Sequence, residues 1–546
     1  MGFYINPGNE AFKISINDDI YIDQSGILAF TNNRIGKRKR YLCVSRPRRF
    51  GKSLTAEMLT AYYDRSCDSG FLFQGLEIAK DDSYVGNLNQ YDVFSINVQQ
   101  FLRGAGKPAQ LVPYMESQLL QELRSMYGKL LGYNEEDFSF NNLPMALAAL
   151  FARDEGKRKG FIFIIDEWDC IFREAPEDKQ AQKAYLDFLR DLFKDRTYVK
   201  LAYMTGILPV KKYGTHSALN IFDEFSMTEP KGLAKYVGFS EADVMELCKK
   251  YHMNFDEAKR WYDGYEFWQT GHIYNPKSIV DAMLEKAFQS YWVSTETYEA
   301  LRVYIDMNFD GLKDAIISML GGVSCEIDTG TFQNDMTSFR GRDDVLTLLV
   351  HLGYLTYQEK SRRVSIPNDE VRSEFLRAVR SSGWKEVADA VKASEALLDA
   401  TLNMDAKSVA EGIDAIHSGS TSILSYHDEN SLSCVITLAY YSARKDYILI
   451  RELPTGKGFA DMVFLPRKHC DKPALLIELK WNRSAEGAIS QIKKQKYVQA
   501  LQDYGGKLLL VGINYDKKSK IHQCEIEQFT YGGLEVIKPY EGETEQ

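Results

Sequence analysis

No stretch of eighteen consecutive apolar residues occurs in this sequence, so no transmembrane helix is expected. The N-terminus lacks a basic segment followed by an apolar one, so no secretory leader is expected either. The cysteines Cys43, Cys67, Cys170, Cys248, Cys325, Cys434, Cys470 and Cys524 include no C-x-x-C pair. That argues against a zinc site or a disulfide framework, and free thiols in a reducing cytoplasm are the expectation. His469 and Cys470 stand together without a second pair and read as a loop. An excess of positive charge is also missing. There are 67 Lys and Arg against 76 Asp and Glu, a net charge of −9. A surface basic throughout is thereby excluded, but a local basic groove is not. Hydrophobic residues at 45% and charged residues at 26% are ordinary for a globular chain. A length of 546 residues suits about three domains.

The stretch Tyr41 to Leu54 reads Y-L-C-V-S-R-P-R-R-F-G-K-S-L. A short apolar strand, a loop, Gly51-Lys52-Ser53 and a run of helical composition to Tyr63 follow in the order of a phosphate-binding P-loop. Gly51 lets backbone approach a phosphate, and the first N–H groups of the helix point at the anion. Lys52 is expected to reach the β- and γ-phosphates and Ser53 to offer its hydroxyl to Mg²⁺. The first glycine of G-x-x-x-x-G-K-[ST] is absent, and Arg46 stands in its place. Pro47, Arg48, Arg49 and Phe50 complete the loop, and Pro47 contributes rigidity where a glycine would contribute freedom. The candidate nucleotide-binding residues are therefore Arg46 through Leu54.

Phe161 to Asp169 reads F-I-F-I-I-D-E-W-D. Its apolar run suits a strand buried on both faces of a parallel sheet, with Asp166 and Glu167 at the end where ligands bind. Asp166 is the candidate Mg²⁺ ligand and Glu167 the candidate group that polarises the attacking water. Tyr91 to Val98 reads as another strand and Lys179 to Asp195 as an amphipathic helix. Val199 to Gly206 reads as a strand ending in Thr205, a candidate γ-phosphate sensor. Upstream, Met1 to Arg40 carries N-D-D-I-Y-I-D-Q-S and a basic stretch from Arg34 to Arg40; such a lead-in often packs near a nucleotide base.

Beyond residue 230 the pattern changes. Ser240-x-x-Asp243 is a helix-capping pattern, and Asn275-Pro276 is a turn that opens a helix. The aromatic W-Y-D-G-Y-E-F from Trp261 to Phe267 reads as core and turn. Helices followed by a short hairpin near Tyr357 suggest a winged-helix-like lid. A helical stretch from Val371 to about Ser418 leads into Asp461 on one strand and Glu478-x-Lys480 on the next. At a period of two, Glu478 and Lys480 share a face. Two carboxylates suit a hard divalent cation and a lysine suits a water-activating role, which is the constellation of a metal-dependent nuclease. Gln491, on the helix that follows, is a candidate to complete it.

The runs R-P-R-R-F-G-K-S-L, I-D-E-W-D, T-G-I at Thr205, W-Y-D-G-Y at Trp261, Y-N-P at Tyr274, I-P-N-D-E-V at Ile366, G-F-A-D at Gly458 and I-E-L-K at Ile477 span nearly the whole chain. Together they resemble the bacterial AAA-ATPase-like family fused to a PD-(D/E)XK nuclease-like domain. The resemblance implies an α/β fold in three parts. A P-loop NTPase (AAA/STAND-like) domain would cover 1–229, a helical, winged-helix-like middle 230–370, and a helical linker with a PD-(D/E)XK nuclease-like α/β domain 371–546. It also implies ATP and Mg²⁺ as cofactors, with Ser53, Asp166, Asp461 and Glu478 as metal ligands. Glu429 is the candidate for the glutamate expected on the helix before the nuclease strands. The first functional reading is an ATP-hydrolysing switch controlling a Mg²⁺-dependent nuclease on nucleic acid, with DNA as the expected target and defence against foreign DNA as a setting. The second is an ATP-dependent signalling or binding module whose C-terminal domain binds nucleic acid or protein without cutting. A cytoplasmic chain without a membrane partner is expected, and the sequence is compatible with a homo-oligomer without specifying one.

Overall fold

The structure is a computed structural model. It describes residues 2–128, 142–153, 159–210, 219–267, 270–292, 298–307, 309–334, 336–382, 384–420, 429–455, 458–467, 470–494 and 506–529. The chain forms two compact units, one of residues 1–295 with 326–372 and the other of residues 296–325 with 373–546. Most of the segment expected as a middle domain therefore folds within the first unit, while 296–325 folds within the second. Among the described residues no helix is long and apolar enough to cross a membrane.

The first unit is built on five parallel strands, β1 (Tyr41–Ser45), β2 (Asp92–Asn97), β3 (Phe161–Asp166), β4 (Val199–Gly206) and β5 (Asp223–Phe225). They lie in the order β2-β3-β4-β1-β5. Burial explains the order. Every residue of β1 and β3 is buried, as an interior parallel strand requires, whereas β2 at one edge alternates near its end. Residues Phe161 to Ile165 are each at most 1% exposed. At about 1.5–3 kcal/mol per large apolar side chain, this single strand anchors the sheet. The register brings Asp166 of β3 beside Thr205 of β4, and Thr205 beside Val44 of β1. The acidic end of β3 and the loop after β1 thus meet at the same edge of the sheet.

Further along the first unit, Ser240 caps the helix Glu241–Tyr251 with a reciprocal bond from Asp243. Asn275 caps Pro276–Glu285 by accepting from Lys277 N at 3.0 Å. The helix Arg342–Leu352 runs into the antiparallel pair Thr356–Gln358 and Arg363–Ser365. The second unit holds a sheet of Tyr447–Thr455, Gly458–Pro466, Ala474–Trp481, Leu508–Asp516 and Ile521–Phe529, hydrogen-bonded in chain order. Among the described residues of this sheet only the pairing of Ala474–Trp481 with Leu508–Asp516 is parallel, and the helix Ala485–Lys494 lies on the crossover between them.

A buried carboxylate ties the segment around residue 370 to the loop after β1. Glu370 is 1% exposed and accepts from Ser278 Oγ at 2.9 Å and from Tyr291 N at 2.8 Å. Arg49 Nη1 in turn donates to Tyr291 O at 2.9 Å. Burial pushes the Glu370 carboxyl up from 4.5 to about 7, against these bonds and the Arg49 charge, which pull it down. A folded-state value above the unfolded one contributes stability that is complete below pH 4.5 and is lost as the pH rises through about 7. Glu370→Gln removes that titration. Between pH 5 and pH 8 its stability relative to the natural protein should therefore rise by on the order of 2–3 kcal/mol. Urea denaturation at the two pH values measures the change, and an unchanged difference would mean that Glu370 does not titrate across this range.

Candidate nucleotide and nuclease sites

After β1 the chain turns through Arg46 to Gly51 and enters the helix Lys52–Tyr63. Arg49 and Gly51 both adopt positive φ, +70° and +83°. A Cβ built on Gly51 would meet nothing within 4 Å, so the glycine answers a backbone requirement rather than a shortage of room. No side chain caps the first N–H groups of the helix. They border a cavity of about 860 Å³ lined by Arg48 to Leu54, Gln99, Glu167 and Arg173. Ile20, Tyr21, Ile22, Phe239, Val280 and Leu284 form its apolar side. A polar end with uncapped N–H groups and an apolar end suit a ligand with an anionic head and a planar body.

Lys52 Nζ donates to Pro47 O at 2.9 Å. Burial lowers its pKa, while the charges of Glu167, Asp166 and Asp169 hold it up. Ser53 Oγ donates to Asp166 Oδ2 at 2.7 Å, and Glu167 N to Asp166 Oδ1 at 3.0 Å. Burial pushes the Asp166 carboxyl up to about 6 despite those bonds. A buried carboxylate with too little positive charge nearby, beside a hydroxyl, is a donor set that fits a hard cation. Glu167 has φ +53°, uncommon outside glycine, and its half-buried side chain pairs with Arg173. Arg173 Nε also donates to Asp169 Oδ2 at 3.2 Å, and that oxygen accepts from Ile207 N and Leu208 N at 3.1 and 2.8 Å.

In the second unit, Met462 pairs with Ile477, which places Asp461 one step further on, beside Glu478. Glu478 Oε1 accepts from Lys480 Nζ at 2.9 Å and from Gln491 Nε2. The helix bearing Gln491 reaches the strand because Gly512 has no side chain: a Cβ there would fall 2.4 Å from Ala485 O. Asp461 Oδ2 accepts from Leu479 N at 2.7 Å. Burial, helped by the Asp461 charge, pushes Glu478 up to about 7, and Lys480 pulls it down. Glu478 Oε2 is buried without a hydrogen-bond partner among the described residues. An orphaned carboxylate oxygen beside a second carboxylate fits a divalent cation. No three His, Cys, Asp or Glu side chains converge as a metal site among the described residues. A cation here would therefore rely on water and substrate oxygens for the rest of its shell.

Residues 8–215 match the family model described as "Predicted AAA-ATPase", and residues 427–525 match that of the "PD-(D/E)XK nuclease superfamily". One chain joins an AAA-ATPase-like domain to a PD-(D/E)XK nuclease-like domain. The chain is also 24% identical over 534 residues to an "Uncharacterized protein in vnfD 5'region" of Azotobacter chroococcum mcd 1, covering 93% of this chain and 95% of that one. Among solved structures, the Walker-type ATPase PABY2304 of Pyrococcus abyssi has 13% identity and a TM-score of 0.33, covering 64% of this chain and 94% of its own. The ORC2 protein of Aeropyrum pernix has 11% identity and a TM-score of 0.30, covering 67% and 97%.

In the ATPase-like domain, Arg48 to Leu54 and Glu167 line the cavity, and Asp166 lies behind Ser53. Arg46 departs from its expected role. Its guanidinium is fully buried, donates to Ser45 O and Phe225 O at 2.8 and 3.0 Å, and lies 5.4 Å from the Phe267 ring. Burial lowers its pKa to about 10. The side chain braces β1 against β5 and does not line the cavity. Pro47 contributes its carbonyl to Lys52, and its ring lies where a Cβ on Gly353 would fall 2.8 Å from it. Thr205 is fully buried, with no partner for its hydroxyl among the described residues, in register with Asp166. Sequence reasoning did not assign the Asp169–Arg173 pair, although its i,i+4 spacing of opposite charges after D-E was visible. In the nuclease-like domain, Asp461, Glu478, Lys480 and Gln491 come together. Glu429 opens the helix Glu429–Ala439, but its side chain lies outside the described set.

Proposed function

We propose that the ATPase-like domain binds ATP with Mg²⁺ in the 860 Å³ cavity and hydrolyses it. We further propose that this cycle controls a Mg²⁺-dependent nuclease site in the C-terminal domain, acting on nucleic acid and foremost on DNA. The observation that supports both halves is that each set comes together: Lys52, Ser53, Asp166 and Glu167 at the cavity's polar end, and Asp461, Glu478, Lys480 and Gln491 around one strand end. In the first site, Lys52 leaves Pro47 O for the β- and γ-phosphate oxygens. Glu167 accepts the proton of a water whose oxygen bonds to the γ-phosphorus, while the bond from that phosphorus to the ADP oxygen breaks. Mg²⁺, held through Ser53 and Asp166, would supply charge neutralisation of the phosphates. In the second site, Asp461 and Glu478 would hold the cation, Gln491 fixes the Glu478 carboxylate, and Lys480 orients water at the phosphodiester. Defence against foreign DNA is a setting in which such a switch is useful.

Titration of a fluorescent ATP analogue tests the first half. Lys52→Ala should weaken binding by about 10- to 100-fold, the loss of a charge-assisted contact, while its melting temperature stays within a few degrees. Equal affinities would remove the nucleotide assignment. Plasmid incubation with Mg²⁺, with and without ATP, tests the coupling.

A further inference from the structure

One buried charge beside the cavity has no part in the chemistry above. Arg173 sits in the short helix Cys170–Glu174, and its side chain is 7% exposed. A guanidinium is costly to bury unless paired. Two carboxylates pair with it, and they are unequal. Asp169 is fully buried and held by the Ile207 and Leu208 N–H groups just beyond β4. A Cβ on Gly206 would fall 2.4 Å from Asp169 Oδ1, so the absence of a side chain there lets the carboxylate lie close against β4. Asp169 is thus a fixed anchor for Arg173 Nε. Glu167 is the more accessible partner: its side chain is 20% exposed, its own backbone has positive φ, and it lines the cavity. Arg173 lines that cavity together with Lys52 and Ser53.

The Glu167 oxygen that bonds Arg173 is occupied and is not turned to a water at a phosphate. With Glu167 held by Arg173, the site is at rest. A triphosphate entering the cavity brings anionic oxygens beside Glu167 and Asp166. The repulsion is relieved most directly if the terminal nitrogens of Arg173 turn from Glu167 to those oxygens while Nε stays on Asp169. The planar fork of arginine suits phosphate oxygens, and the anchored Nε removes most of the ordering cost.

We propose that Arg173 is a γ-phosphate ligand supplied by the same chain, which exchanges Glu167 for the terminal phosphate of ATP and so frees Glu167 to act on water only when that phosphate is present. The proposal rests on the ATP reading above. ADP, lacking the terminal phosphate, leaves the Arg173–Glu167 pair intact. The exchange makes the site sense its substrate.

The experiment measures affinities for ADP and for the non-hydrolysable β,γ-imido analogue of ATP, both with Mg²⁺, together with turnover of ATP. It uses the full-length natural protein, Arg173→Gln, Arg173→Lys and Glu167→Gln. Arg173→Gln should lose about 10- to 100-fold in affinity for the analogue with ADP affinity within two-fold, and about 10³-fold in kcat, as for other arginines at transferring phosphates. Arg173→Lys should recover part of both. Glu167→Gln should bind the analogue more tightly than the natural protein, because no ion pair has to be broken, and should bind ADP unchanged. An equal loss for both nucleotides in Arg173→Gln would reduce Arg173 to a structural role and overturn the proposal. A rise in kcat would make it a brake alone and overturn it equally. If Arg173→Gln does not fold, the Arg173→Lys and Glu167→Gln affinity ratios decide. Failure of the natural protein to bind either nucleotide would remove the ATP reading itself, and this proposal with it.

Discussion

Glu167→Gln is expected to bind ATP at least as tightly as the natural protein and to lose hydrolysis by about 10²- to 10⁴-fold, the usual worth of a positioned general base. The two halves of the result come from different parts of the site. Apart from Arg173, which the substitution releases from its ion pair, binding draws on Lys52, Ser53 and the helix N–H groups, none of which bonds to the Glu167 side chain among the described contacts. Hydrolysis needs a carboxylate at the end of β3 that faces the cavity and can take a proton. Glu167 meets that need through its φ of +53°, which turns it away from the preceding, buried Asp166. The amide keeps the volume and removes the basicity. Phosphate release under saturating ATP is the measurement. Unchanged turnover would place the base elsewhere. Asp169 is poorly suited to replace it, because it is fully buried and does not line the cavity.

The features that were legible in the sequence are those a local pattern can carry. The buried β3 ending in Asp166, the helix opening at Lys52, the Ser240 capping box and the Asn275 cap each depend on residues within a few positions of one another. The shared face of Glu478 and Lys480 likewise follows from the period of a strand. Arg46 shows where that reasoning stops. Its place in the motif identifies a loop position but not the direction of its side chain, which is set by the neighbouring Ser45 carbonyl and by the Phe225 carbonyl on β5, far away in the chain. The need for Gly512 was hidden for the same reason, since it arises from the approach of a helix backbone and not from a turn. The joining of 296–325 to the second unit was also hidden, because packing across many intervening residues leaves no local period. The lead-in around Tyr21 falls between these cases. A lead-in before a P-loop often packs near a base, and Ile20, Tyr21 and Ile22 line the cavity.

Asp461→Ala should abolish Mg²⁺-dependent cleavage of plasmid DNA, by about 10³-fold or more, since several kcal/mol of charge stabilisation at the phosphodiester depends on the cation. ATP hydrolysis should remain within two-fold. The alanine also removes the acceptor for Leu479 N, a bond of 2.7 Å worth about 1 kcal/mol, so lost cleavage could in principle follow from a disturbed strand. Asp461→Asn separates the two effects, because its amide oxygen still accepts from Leu479 N while the charge is gone. Both variants should fail to cut, and only the alanine should melt lower. Removing the Asp461 charge also takes away one of the two causes that hold the Glu478 carboxyl near 7, so its pKa should fall. A carbon-detected titration of labelled glutamate would report that change whether or not cleavage is seen. Cleavage by Asp461→Asn at the natural rate would refute the nuclease assignment of this strand pair. Failure of the natural protein to cut under any nucleotide condition, with Glu478, Lys480 and Gln491 assembled as here, would instead favour a C-terminal domain that binds nucleic acid or protein under ATP control without breaking it.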